Sequence, residues 1–132
     1  KHAREFELRR KRAGHLFSKN RYLAAQMLGY LDNNLWLELA KSSNKMAKRL
    51  SRLMGILPYV KLHHETDANM IFADMPRKAH QELFKSGAKY YLRNGFLKGD
   101  LDEFVTGRFV CSWSTTEEDI EAFITAANKI NF

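Results

Sequence analysis

The 132-residue sequence holds one cysteine, two prolines and no apolar run near the ~20 residues that a membrane-spanning helix requires. A single thiol, Cys111, excludes an intrachain disulfide. Its place in a core-like strand fits a reduced, cytoplasmic protein. No secretory signal, internal repeat or low-complexity tract is visible. Nothing has the spacing of a serine or cysteine triad, a P-loop or a dinucleotide fingerprint. His63 and His64 are adjacent, so an extended chain sends them to opposite sides, and Glu65 and Asp67 add no ligand spacing. No metal site is therefore expected. What is present is a chain long enough for one domain, 45% hydrophobic, with Trp36 and Trp113 to furnish a core.

The net charge of +7 is unevenly spread. Residues 1–21 carry eight cations (Lys1, Arg4, Arg9, Arg10, Lys11, Arg12, Lys19 and Arg21) against Glu5 and Glu7, leaving that segment at +6 and the other 111 residues at +1. Such a segment suits nucleic acid, an acidic partner or a phosphate. It lacks interleaved aromatics and any nucleic-acid-binding motif.

Ala3 to Arg12 reads as a polar helix that must lean on something else, broken by Gly14-His15. Arg21 to Leu31 reads as a second helix with Leu23, Ala24, Met27, Leu28 and Leu31 on its apolar side. Asp32-Asn33-Asn34 is a turn and cap signal, and a long amphipathic helix runs from Leu35 to Met54. From Pro58 the period changes. Strands are expected at Tyr59–Leu62, at Asn69–Ala73 (buried on both faces), at Tyr90–Leu92 and at Phe104–Trp113. A helix starting at Pro76 and stopped by Ser86-Gly87 separates the second strand from the third, with Ala79, Leu83 and Phe84 facing inward. A last helix follows Trp113, capped either by Ser114 with Glu117 or by Thr115 with Glu118. Its apolar stripe is Ile120, Phe123, Ile124, Ala127 and Ile130. The order α-β-β-α-β-β-α from Asp32 onward specifies a two-layer α+β domain, with helices on one face of a small, mostly antiparallel sheet. Residues 1–32 read as connector helices and residues 33–132 as the domain.

Arg108 stands out in its strand. Alternation places Phe109, Cys111 and Trp113 on one face, and Arg108, Val110 and Ser112 on the other. A guanidinium amid core material needs a carboxylate or phosphate partner, because an unpaired buried charge is costly. It is either a structural ion pair, a snorkelled edge residue or a ligand-binding arginine.

Arg10-Lys-Arg-Ala-Gly-His-Leu-Phe-Ser-Lys19 with Arg21-Tyr-Leu-Ala-Ala-Gln26 resembles the segment joining the two domains of low-specificity threonine aldolases and phenylserine aldolases. Leu35-Trp36, Asn44-Lys-Met-Ala47, Asp67-Ala-Asn-Met-Ile-Phe72, and Gly107-Arg108 leading to Thr115-Thr-Glu-Glu-Asp-Ile120 fit the same family. The resemblance covers the whole chain but only the C-terminal part of such an enzyme. It implies the small C-terminal domain of a fold-type I, pyridoxal 5′-phosphate-dependent lyase that cleaves 3-hydroxy amino acids to glycine and an aldehyde. The related readings are a β-eliminating lyase or a transaminase of the same fold. A stand-alone basic nucleic-acid module is the reading from a different class.

On this resemblance, Arg108 matches the small-domain arginine that takes the substrate α-carboxylate. Lys11 matches a family lysine near the cofactor phosphate of a neighbouring subunit. Lys19 lies beside Ser18, which replaces an arginine found in the loop of better-known members. The Schiff-base lysine, the ring-stacking histidine and the aspartate paired with the pyridine nitrogen belong to the large domain and match nothing here. The fragment by itself is expected to hold no catalytic residue and to be inactive. Its partners are then the amino-acid substrate, the large catalytic domain and further copies in a dimer or tetramer, with neither nucleic acid nor membrane.

Overall fold

Both helical patterns of the first thirty residues form helices in the computed structural model, which describes residues 2–131. The chain makes two units, Lys1–Leu37 and Glu38–Phe132. In the first, α1 spans Ala3–Arg12 and α2 spans Asn20–Leu31, followed by a 3-10 turn at Asp32–Asn34. Asn33 and Asn34 take positive φ (49° and 59°), a backbone that asparagine tolerates better than most residues. Neither helix has a buried residue: the predicted apolar side of α2 exists, but Leu23, Met27 and Leu28 are exposed.

The second unit follows the predicted order. Helix α3 (Leu35–Met54) leads into β1 (Lys61–Leu62) and β2 (Met70–Pro76). Helix α4 (Arg77–Lys85), β3 (Tyr91–Asn94), β4 (Phe104–Val110) and α5 (Glu117–Asn128) complete it. The four strands form one antiparallel sheet in the order β1-β2-β4-β3. The α+β class expected from the sequence is the class observed.

Strand alternation divides the sheet into a packed and an open face. Ile71, Ala73 and Met75 of β2 sit opposite Phe109, Gly107 and Val105 of β4 on the packed face, and all are buried. There they meet Met46, Ala47, Leu50 and Met54 of α3, Ala79 and Leu83 of α4, and Ile120 and Ala127 of α5. Full burial of each large apolar side chain contributes about 1.5–3 kcal/mol. Gly107 is required here, because a Cβ would lie 2.8 Å from the Phe109 ring and 3.2 Å from that of His80. Arg49 ties α3 to α5 by bridging Glu117 and Glu121.

Several local expectations are corrected. Strand β2 alternates in burial and is not covered on both faces, because helices occupy only one side. Strand β4 stops at Val110, so the alternation ends before Trp113, which is 66% exposed, while Cys111 is buried. The capping box of α5 is Thr116 with Asp119, one residue later than expected: each side chain bonds the other's backbone N–H. Pro76 ends β2 and caps α4, whose first residue is Arg77.

Arg77 is buried although charged. Its Nε donates to the Phe96 carbonyl (2.8 Å), Nη1 to the Asp100 carbonyl and Nη2 to the Glu103 carboxylate (2.8 Å). One guanidinium thus pins the loop between β3 and β4. Gly99 in that loop has φ +135°, and a Cβ there would lie 2.7 Å from Arg77 Nη1.

His80 is also sealed in the core, with no exposed surface. Its Nε2 lies 2.8 Å from the Val105 carbonyl, which can only accept, so Nε2 carries the proton. Nδ1 therefore accepts from the Tyr90 hydroxyl at 2.9 Å. Burial pushes the His80 pKa down and the Tyr90 pKa up.

Candidate functional site

The open face of the sheet carries the candidate residue Arg108. The His63 amide donates to the Phe72 carbonyl (3.0 Å), Phe72 pairs with Arg108, and Arg108 pairs with Tyr91. Phe72, Arg108 and Tyr91 therefore form one row across β2, β4 and β3, extended by His63 just past the end of β1. Lys61, Asp74 and Thr106 form the next row.

Arg108 is half-buried, and its Cζ lies 4.9 Å from the centre of the Tyr91 ring. Its Nε is buried with no hydrogen-bond partner, and no carboxylate among the described residues forms a salt bridge with it. Strand β4 is interior, so the snorkelled-edge reading fails. An internal ion pair fails as well. What remains is a guanidinium held in place by an aromatic face, with unused donors.

A second guanidinium shares this face. Arg93 on β3 places its Cζ 5.2 Å from the Phe72 ring centre. Met70, Phe72, Tyr91, Leu92, Arg93 and Arg108 line one shallow groove. In the next row, Asp74 is occupied within the fold. Thr106 Oγ1 donates to its Oδ1 at 2.6 Å, and His63 Nε2 lies 2.7 Å from the same oxygen. Burial acts to raise the Asp74 pKa, but the bonds from Thr106 and His63 and the nearby cations outweigh it and hold the carboxyl below its ordinary range. Both contacts of Asp74 fall on Oδ1, and it forms no salt bridge with either arginine.

Lys11 and Lys19 belong to the first unit. Lys11 is exposed and paired with Glu7 at 3.2 Å, one helical turn away. Lys19 is exposed and precedes the first turn of α2. Within its own unit neither lysine is sequestered, since an exposed pair of this kind is worth at most about 1 kcal/mol and releases easily. His63 is committed to Asp74, and the His64 ring stands at 89° to it, 6.0 Å away.

The sequence reading did not single out Arg93, Asp74, Arg77 or the His80–Tyr90 pair. The third strand expected from sequence ends at Leu92, whereas β3 runs to Asn94 with an irregularity between Leu92 and Asn94 that holds Arg93. Only the pairing of β3 with β4 brings Arg93 to the groove it shares with Arg108.

No family model matches the sequence. Two curated relatives do. A low specificity L-threonine aldolase of a Pseudomonas species is 37% identical over 115 residues, covering 87% of this chain and 31% of the relative. That of Pseudomonas aeruginosa is 35% identical over 118 residues, covering 89% and 32%. Among solved structures, a threonine aldolase of Leishmania major aligns with a TM-score of 0.65 at 23% identity, over 76% of this chain and 28% of that one. A glycine decarboxylase (P-protein) of the glycine cleavage system aligns at 0.62 and 20% identity, over 80% and 24%. Both solved structures share the α+β fold of this chain over the aligned part. No helix among the described residues is long and apolar enough to cross a membrane. Over nearly all of its length the chain is similar to these two low specificity L-threonine aldolases, and it spans about a third of their length.

Proposed function

We propose that this chain is the small-domain part of a pyridoxal phosphate-dependent aldolase that cleaves 3-hydroxy amino acids, such as threonine or phenylserine, to glycine and an aldehyde. Arg108 supplies the grip on the substrate α-carboxylate. The observation that carries this reading is the Arg108 guanidinium itself, on an interior strand, facing the open side of the sheet and left without an acid.

A carboxylate offers two parallel acceptors to the planar fork, and charge-assisted bonds of this kind are about twice as strong as neutral ones. Tyr91 holds the guanidinium from one side, so part of the ordering cost is met before substrate arrives. With the carboxylate fixed, rotation of the amino acid is restricted and the scissile Cα–Cβ bond keeps one orientation. Pyridoxal phosphate, when bound, supplies the electron sink for that cleavage. Lys11 and Lys19 are assigned to its phosphate, which fits two exposed ammonium groups of which one is held only by an exposed partner. The group that holds the cofactor covalently is assigned to the large domain, and this chain by itself is inactive.

The full enzyme is assigned to the cytoplasm and to a homo-oligomer, a dimer or tetramer. The buried thiol of Cys111, with its pKa raised by burial, suits a reducing compartment. The likeness to a glycine decarboxylase supports a second reading, another fold-type I enzyme that uses the same carboxylate arginine. Glycine release by the full-length enzyme from a panel of 3-hydroxy amino acids separates the two. An aldolase yields glycine and aldehyde in equal amounts. Their absence across the panel overturns the aldolase reading.

A further inference from the structure

The open face of the sheet holds more positive charge than one carboxylate can satisfy. Lys61, Arg93 and Arg108 bring basic side chains to this face, and among the described residues Asp74 is the acid paired into it. Asp74 is already bonded by Thr106 and His63 and lies in the row shared with Lys61. Arg93 and Arg108 therefore have no counter-charge among the described residues of the face.

Their side chains cross over the strands. Arg93 starts on β3 and reaches the Phe72 ring on β2, while Arg108 starts on β4 and leans on Tyr91 of β3. The supporting residues Phe72 and Tyr91 stand on strands two spacings apart, roughly 10 Å between their backbones. Both side chains line the same groove, floored by Met70, Phe72 and Leu92. Each guanidinium carbon lies about 5 Å from an aromatic ring centre, a contact that uses none of its N–H donors.

We infer that Arg93 is a specificity residue that binds a second anionic group, so that the site takes 3-hydroxy amino acids bearing a side-chain carboxylate, such as 3-hydroxyaspartate. This rests on the reading of Arg108 as the α-carboxylate clamp. A short dicarboxylate can offer one carboxylate to each of the two guanidiniums that line this groove. A neutral side chain leaves the Arg93 end of the groove to water. The reaction is unchanged: the Cα–Cβ bond breaks with its electron pair left on Cα, the β-hydroxyl loses a proton while Cα gains one to give glycine, and the side-chain carboxylate departs on the aldehyde as glyoxylate.

The test compares the full-length enzyme with its Arg93→Gln and Arg93→Lys variants on 3-hydroxyaspartate and on threonine. Arg93→Gln should lower kcat/KM for the diacid about 10-fold, the worth of one charge-assisted contact, with threonine unchanged within twofold. Arg93→Lys should retain an intermediate preference, since it keeps the charge but not the fork. An equal effect on both substrates, or none on either, overturns the inference. So does a loss of cofactor affinity in Arg93→Gln, which would assign Arg93 to the cofactor phosphate. Arg108→Lys is the control for the underlying reading. If it leaves both substrates untouched the clamp itself is wrong, whereas a clamp effect with no Arg93 selectivity sinks only the second-anion site.

Discussion

The guanidinium carbon of Arg108 lies 4.9 Å from the centre of the Tyr91 ring, its cross-strand neighbour on the open face of the sheet. An aromatic ring orients a cation without consuming its hydrogen-bond donors. A carboxylate partner inside the domain would have consumed them. The arrangement keeps an arginine both ordered and available, which is what a clamp for an incoming acid requires.

Arg108→Lys in the full-length enzyme should therefore raise the apparent KM for 3-hydroxy amino acids by roughly 10- to 100-fold, because an ammonium does not reproduce the two-point contact. Cofactor content, read from the absorbance of the purified protein, should be unchanged. An unaltered KM removes Arg108 from the substrate site. Tyr91→Ala should produce a smaller rise, of about 3-fold, through loss of the stacking surface alone.

The β3–β4 loop depends on Arg77. Arg77→Ala leaves the Glu103 carboxylate and the Phe96 and Asp100 carbonyls without their donor and opens a cavity under α4. The expected loss is about 3 kcal/mol in urea unfolding. Glu103→Gln should cost about 1 kcal/mol or less, because its side chain is 59% exposed and Arg77 keeps both carbonyl bonds. Equal effects from the two variants would show that the carboxylate, and not the carbonyls, anchors the loop.

Gly99 and Gly87 both have positive φ but differ in their surroundings. Gly87→Ala meets nothing within 4 Å and should cost about 1 kcal/mol for the backbone conformation alone. Gly99→Ala adds a clash with Arg77 and should cost about 2–3 kcal/mol. Thermal or urea unfolding of the two variants side by side checks the order.

The buried His80 makes stability depend on pH. Burial holds its pKa below 6.5, so the folded state resists a proton that the unfolded state accepts. Stability from this site is fully present above pH 6.5 and is lost as pH falls from 6.5 toward the depressed folded value. Asp74 acts in a lower window: its depressed pKa makes its contribution present above 3.8 and lost as pH falls below that. In His80→Gln the slope of unfolding free energy between pH 7 and 5 should flatten, while the decline below pH 4 persists. A slope unchanged by the substitution would assign the acid sensitivity to other groups.

The element order of residues 35–132 was legible from periodicity, because each helix has one apolar stripe and each strand a run of β-branched and aromatic residues. Helix α3 was delimited to the residue by its neighbours, the Asp32-Asn33-Asn34 turn and Gly55. Arg108 was legible too, as a charge in core-like material. Strand ends were not. Trp113 continues the alternating pattern but lies past the last ladder bond of β4, and that limit is set by the length of β2 opposite it. The cap of α5 fell on Thr116 because its partner Asp119 lies one residue beyond Glu118, a choice among near-equivalent side chains that local sequence leaves open.

By itself, the sequence determined the class of the fold, the faces of its strands and the presence of one arginine in need of an anion, since these follow from spacing along the chain. Tertiary structure alone decided that this arginine finds no acid at home. Pairing of β4 between β2 and β3 brings Phe72, Tyr91 and Arg93 beside Arg108 and turns Asp74 toward Thr106 and His63. Charge balance on a sheet face is a property of neighbours across strands, and neighbours across strands are far apart in sequence.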